Sequence, residues 1–311
     1  MHPAYSVILF TTSSGAGYGL LFWLSLAHVI GAQPVTGWGF FAGLFIALGL
    51  ITLGLLSSTF HLGRPERAWR ALSQWRSSWL SREGVAALAT YVPAGLLWLM
   101  SLLGIAGWLT LPLALLSAIG AVATVWCTGM IYASLRTIRE WHMPQVPYVY
   151  LANAAASGAL LLVLLHAFAG RDIRLVSLIA LLALGLAGAL KLIYWRRIDA
   201  EPGAYTADMA LGLKGVKRQL EPPHSRPNYV MREMGYDVAR RHAETLRRSV
   251  LLWGFLLPGL MLAIQALTGG LGPVLMPVAV TAAAAGLVTE RWLFFAEATH
   301  LSTLYYGNQR A

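Results

Sequence analysis

Between Phe60 and Glu83 the sequence gathers its densest group of polar and aromatic side chains against the edge of an apolar run. It reads Phe60-His61-Leu62-Gly63-Arg64-Pro65-Glu66-Arg67-Ala68-Trp69-Arg70 and continues through Trp75, Trp79, Ser81 and Arg82 to Glu83. His61 closes one apolar run and Glu83 opens the next, and the connection is short enough to bring both to one interfacial pocket. An imidazole titrates near neutral pH, and beside a carboxylate it can hydrogen-bond a quinone carbonyl and trade protons with water. Trp69, Trp75 and Trp79 can pack around a flat ring. The same residues also fit a plainer scheme. In it Ser81 caps a helix, Glu83 complements the helix dipole, the arginines set topology and His61 rests among headgroups.

These residues need elements to hold them, and composition decides which. Of the 311 residues 57% are hydrophobic and only 12% are charged, against about 25% charged in soluble domains. A mean hydropathy of +0.62 over the whole length calls for lipid as the solvent. A membrane span takes about 20 apolar residues, and eight runs qualify, at about 14–33, 37–60, 84–105, 109–135, 148–169, 174–195, 249–267 and 271–294. The expected fold is all-α: a polytopic membrane protein of eight transmembrane helices, residues 1–311 forming one membrane domain. Met1 to Phe10 carries no Lys or Arg, and the apolar stretch it leads into runs on for a full span without a cleavage-like motif, so that stretch reads as a retained helix. Of the 23 basic residues, all but Arg171 and Arg174 fall on one side of these spans. That bias places both termini and the loop 196–248 in the cytoplasm. The loop carries Pro202, Pro222, Pro223 and Pro227, with a short helix expected near 236–248, and is the natural docking surface for soluble partners.

The net charge of +10 does not indicate nucleic acid, because no soluble module is left to bind it; the anionic lipid surface is a sufficient partner. The single cysteine, Cys127, excludes an internal disulfide and a Cys-ligated cluster. His28 and His166 fall within or near spans, where paired histidines can ligate a haem. Asn153 and Gln265 read as interhelical hydrogen-bonding groups, and Glu290 and Arg291 as members of a structural ion pair with neighbours in preference to a proton path. Gly15 with Gly19, and Gly39 with Gly43, favour close helix crossings. Trp38, Trp108, Tyr148, Tyr194 and Trp195 read as interfacial belts.

The block His61-Leu-Gly-Arg-Pro, followed by Arg67-Ala-Trp-Arg and by Ser78-Trp-Leu-Ser-Arg-Glu83, resembles the signature of the dimethyl sulfoxide reductase anchor subunit family. These are eight-helix subunits within the wider group of quinone-interacting polysulfide and nitrite reductase anchors. The opening Met1-His-Pro-Ala-Tyr-Ser-Val, the run from Glu290 through Glu297 to His300, and Leu304-Tyr-Tyr-Gly307 extend the resemblance over the whole chain. The resemblance implies a quinone site with His61 as its histidine, Glu83 as the acidic partner, and Gly63, Arg64 and Arg67 beside them. It implies no haem in this subunit. It also implies electron passage between a ubiquinone or menaquinone pool and an iron–sulfur subunit joined to a molybdopterin catalytic subunit, at a bacterial inner membrane. Within the family, the opening and the basic face look most like the anchor of a cytoplasm-facing sulfite dehydrogenase, in which sulfite goes to sulfate and quinone is reduced. The dimethyl sulfoxide reductase type would oxidise menaquinol through the same site. A secondary transporter and a purely structural tether are the competing classes; no two halves align and few charges lie deep in the spans, which disfavours transport.

Overall fold

The computed structural model describes residues 4–59, 64–200, 205–212 and 238–306. Eight helices in it are long and apolar enough to cross a membrane: α1 (Tyr5–Val29), α2 (Trp38–Thr59), α3 (Trp79–Leu102), α4 (Thr110–Ala133), α5 (Val146–Phe168), α6 (Arg174–Ala200), α7 (His242–Thr268) and α8 (Gly272–Ala296). The shortest has 22 residues, or about 33 Å at 1.5 Å per residue, enough for a hydrocarbon core of about 30 Å. Among the described residues there is no strand; an isolated bridge joins Ile138 and His300. This is the all-α, eight-span architecture that the hydropathy pattern calls for.

The first span begins at Tyr5, nine residues before the expected start. Thr11, Thr12, Ser13 and Ser14 look like a polar boundary in sequence, but their hydroxyls are spent on backbone carbonyls. Thr11 donates to Val7 O at 2.9 Å, Thr12 to Ile8 O at 2.8 Å and Ser14 to Phe10 O at 2.6 Å. Ser13 donates across to Leu50 O of α2 at 2.8 Å. Hydroxyls bonded in this way need no water. The short helix expected near 236–248 joins the seventh span: a helix over Val238–Ser249 runs on through a π turn at Val250–Leu256 into Leu257–Thr268.

α1 and α5 form the buried centre, and small residues set their approach. A Cβ on Gly19 would enter the Ala154 carbonyl, and one on Gly158 would enter the backbone of Gly19 and Leu20. On the other face of α1, Gly17 lies against Ala47 and Ile51 of α2, with Ala47 O 2.7 Å from where its Cβ would stand. Gly43 meets Leu24, whereas Gly15 and Gly39, also expected at crossings, face open space. Leu20, Leu21 and Leu24 of α1 and Phe40 and Leu44 of α2 are wholly buried, while Leu175, Leu182 and Val274 turn outward toward the lipid.

Eight crossings return the backbone to the end where it began. The connection into α3, the turn 134–145, the start of α7 and the residues after α8 therefore share one face, here the basic face. Leu301 N–H donates to Thr137 O at 3.1 Å and Trp141 Nε1–H to Phe294 O at 2.9 Å, tying two of these segments together.

Candidate functional site

The connection into α3 folds as a 3-10 helix over Pro65–Gln74 that lies on the first turn of α3. Three carbonyls hold it there. The Ser81 hydroxyl donates to Ala71 O, and Arg82 donates to Trp75 O at 3.0 Å and to Arg76 O at 2.7 Å. Leu72 packs over Gly84 so closely that a Cβ there would stand 2.8 Å from its Cδ2. The connection 65–76 is thus a strap that Ser81 fastens, and Ser81 is not a cap: α3 starts at Trp79, and the residue at its N-cap is Ser78, which makes no side-chain capping bond.

Beneath this strap Glu83 is only 4% exposed. Its Oε1 accepts the Thr128 hydroxyl of α4, and its Oε2 takes no hydrogen bond from the described residues. A carboxyl set inside the bundle, close to its end and with one oxygen free, can pass a proton to a ligand carbonyl beside it. Its depth goes beyond complementing a helix dipole. A quinone needs an apolar slot with a proton donor or acceptor at its carbonyl, and Glu83 fits the second requirement.

The other expected site residues divide. His61 and Gly63 lie outside the described residues. Arg64 is exposed, and Arg67 is exposed and pairs only loosely with Glu66 at 3.9 Å; among the described residues no hydrogen bond or ion pair joins either arginine to Glu83. The tryptophans do not close around a common space. Arg70 sits over Trp69 at 5.6 Å, Arg76 over Trp75 at 5.6 Å and Arg82 over Trp79 at 4.2 Å, so each indole carries its own guanidinium. Such cation–π pairs suit an interfacial strap.

A second ionic group lies inside the bundle near the same face. Lys191 of α6 pairs with Glu290 of α8, and Arg291 Nε lies 2.9 Å from Glu290 Oε2. The guanidinium of Arg291 stands 3.8 Å over the Tyr150 ring, and Lys191 Nζ stands 4.3 Å over Tyr194 and 5.0 Å over Trp195. Tyr194 and Trp195 are therefore buried around a charge and do not belong to the lipid belt. The ion pair expected at Glu290 and Arg291 is present, and its third member, Lys191, reads in sequence as a topology signal. A lysine inside a long apolar run is the clue that was there to find.

At the opposite end, His28 Nδ1 lies 3.0 Å from Gln33 O and Nε2 3.0 Å from the Thr110 hydroxyl, and His166 Nε2 lies 3.2 Å from Gln33 Oε1. The two histidines share Gln33 and tie α1, α4 and α5 together. Asn153 and Gln265 do not form the bonds expected of them: Asn153 Nδ2 and both side-chain polar atoms of Gln265 have no partner among the described residues. No group of three or more His, Cys, Asp or Glu placed to hold a metal occurs among the described residues.

The model of the DMSO reductase anchor subunit (DmsC) family matches residues 1–211. The chain belongs to that family. Like other DMSO reductase-type anchors it is a multi-pass membrane protein, and it serves as the membrane anchor subunit of a molybdopterin oxidoreductase. It is 35% identical to the C subunit of the sulfite dehydrogenase of Allochromatium vinosum, over 98% of this sequence and 99% of that one. It is 29% identical to the anchor protein of the anaerobic dimethyl sulfoxide reductase of Escherichia coli, over 48% of this sequence and 52% of that one. A shorter likeness, 38% over 20% of this sequence and 22% of the relative, links it to the corresponding dimethyl sulfoxide reductase protein of Haemophilus influenzae.

Proposed function

We propose that this DMSO reductase-type anchor passes electrons from an iron–sulfur subunit to membrane quinone while a molybdopterin subunit oxidises sulfite to sulfate. The observation that carries the sulfite reading is the end-to-end similarity to a sulfite dehydrogenase subunit; the similarity to the E. coli dimethyl sulfoxide reductase protein covers about half of each sequence. Quinone, ubiquinone or menaquinone, meets the protein beside Glu83, with His61, Gly63, Arg64 and Arg67 completing the site. Support comes from the burial of Glu83, from its Oε2 taking no hydrogen bond from the described residues, and from the place of His61 in sequence, a few residues before the strap that begins at Pro65. The exposed arginines and the segment 196–248 form the docking face for the two soluble subunits. With the basic face inward, both termini lie in the cytoplasm of a bacterial inner membrane, and residues 1–311 act as one membrane domain. No haem is assigned to this subunit; the partners are protein and lipid, not nucleic acid.

The test uses the intact complex in membranes, with sulfite as donor and either a short-chain ubiquinone or a soluble dye as acceptor. Glu83→Gln and His61→Ala should each abolish quinone reduction and leave dye reduction intact. Undiminished quinone turnover in Glu83→Gln sinks the site, and in His61→Ala it removes His61 from it. A complex that turns over menaquinol and dimethyl sulfoxide but not sulfite points to the same site run in the other direction.

A further inference from the structure

Two small cavities lie inside the bundle near the basic face, and their walls share Asn153, Ser157 and Leu287. Their volumes are about 10 and about 30 Å³, room for one water molecule and for one or two. Thr128, Tyr150, Arg291 and hydroxyls of α1 wall the smaller; Glu290 walls the larger. Asn153 Nδ2 and Arg291 Nη1 are buried donors with no hydrogen-bond partner among the described residues, on side chains whose residues are 6% and 2% exposed. Donors left dry are rare in folded proteins, and these two border spaces with the size and polarity that water requires.

Both ends of this interior region are anchored. At one, the Thr128 hydroxyl donates to Glu83. At the other, Glu290 pairs with Lys191, and Lys191 Nζ and the Arg247 guanidinium both stand over the Trp195 ring, at 5.0 and 5.3 Å. Glu297 lies 2.8 Å from Arg247, which also holds Asp199 at 2.8 Å, and the Asp199 side chain is 59% exposed. Beside Glu83 the described residues of the strap close on α3: Leu72 lies on Gly84, and Ser81 is bonded to Ala71 O.

We propose that the protons of the quinone reaction travel between Glu83 and solvent through this interior relay, by way of water in the two cavities and the Lys191–Glu290 pair. This rests on Glu83 serving the quinone. Each quinone reduced takes two electrons, supplied by the iron–sulfur subunit, and two protons. Glu83 gives a proton to a quinone oxygen and regains one through the Thr128 hydroxyl and the waters that Asn153 and Arg291 orient. Glu290 supplies that proton after taking it from Lys191 Nζ, and the amine is refilled from the Glu297 and Asp199 side. Quinol oxidation runs the same steps outward, and no group is consumed.

The deciding variant is Asn153→Leu, which removes the shared polar wall without touching a charge or Glu83. In the intact complex with sulfite and a short-chain ubiquinone, kcat should fall about a hundredfold, with the quinone KM unchanged and a larger solvent deuterium effect. Native kcat and a native isotope effect in Asn153→Leu overturn the relay. Should that variant fail to assemble, Thr128→Val gives the same readings with nearly unchanged shape, and Thr128→Ser should restore them. Loss in Thr128→Val beside a native Asn153→Leu also overturns it, since Thr128 would then only position Glu83. Native turnover in Glu83→Gln is a separate failure, that of the quinone site itself.

Discussion

Lys191 and Glu290 form an ion pair whose side chains are 0% and 1% exposed, inside a bundle that lipid surrounds. Arg291 joins the same carboxylate at 2.9 Å, so one anion serves two cations. Removing one partner of a buried ionic group typically costs about 3–5 kcal/mol, and here the two sides are unequal. Glu290→Gln leaves two buried cations facing each other and should lose that full amount in thermal unfolding of the purified protein in detergent. Lys191→Met leaves Glu290 matched by Arg291 and should lose clearly less. Equal losses would show that the triad does not act as one charge group.

The crossing of α1 and α5 depends on two missing side chains. Gly158→Ala places a methyl group into the Gly19–Leu20 backbone, and the helices can relieve it only by parting. Overpacking of this kind costs about 1–3 kcal/mol. The unfolding midpoint should drop in Gly158→Ala and stay near native in Gly15→Ala, whose Cβ meets open space.

Arg82 holds two carbonyls of the strap, at 3.0 and 2.7 Å, while its guanidinium lies 4.2 Å from the Trp79 ring centroid. Hydrogen bonds from a charged donor contribute about 1.5–3 kcal/mol each at most, and exposure reduces that here. Arg82→Leu should release the strap without melting the bundle. Limited trypsin digestion should then cut after Arg70 or Arg76 several times faster than in the native protein, with an unchanged unfolding midpoint. Equal cleavage rates would mean that the strap is held by other contacts.

Glu297 lies just beyond α8, where burial pushes its carboxyl above the ordinary value of 4.5 while Arg247 and Lys191 pull it partly back. The fold therefore favours the protonated form. The stabilisation this brings is complete below the ordinary carboxylate value and is lost as pH rises through the raised one. Glu297→Gln removes that titration. The unfolding midpoint of the native protein, measured relative to Glu297→Gln, should be highest in acid and decline through that window; a rise instead would show that Arg247 outweighs burial.

Hydropathy is enough to lay out the eight spans, because apolar length is a local property. The start of α1 was obscured by Thr11 to Ser14, since polarity in a sequence does not reveal whether a hydroxyl is already bonded to its own helix. Glu83 is legible in sequence as a candidate by type and place, but its burial depends on Thr128 in α4 and on a strap held by Ser81 and Arg82. Lys191 reads in sequence as one more topology charge, because its partner lies far along the sequence. Asn153 looked like ordinary interhelical glue; only the packing of α5 against α1 and α8 leaves its amide facing a cavity.

The separation of Lys191 from Glu290 also governs how the protein is made. About 100 residues divide them, and a ribosome adding about 5–20 residues per second needs on the order of 5–20 s to supply the second after the first. During that interval α6 enters the bilayer with an unmatched ammonium, at a cost of about 2.5–3.5 kcal/mol if centrally placed. The side chain lowers that cost by reaching toward the headgroups. Arrival of α8 supplies the counter-charge and draws the lysine inward, so insertion of the last helix also completes the burial of the sixth. A protein truncated before α8 keeps that exposed charge, a mark by which quality control can tell an unfinished subunit from a finished one.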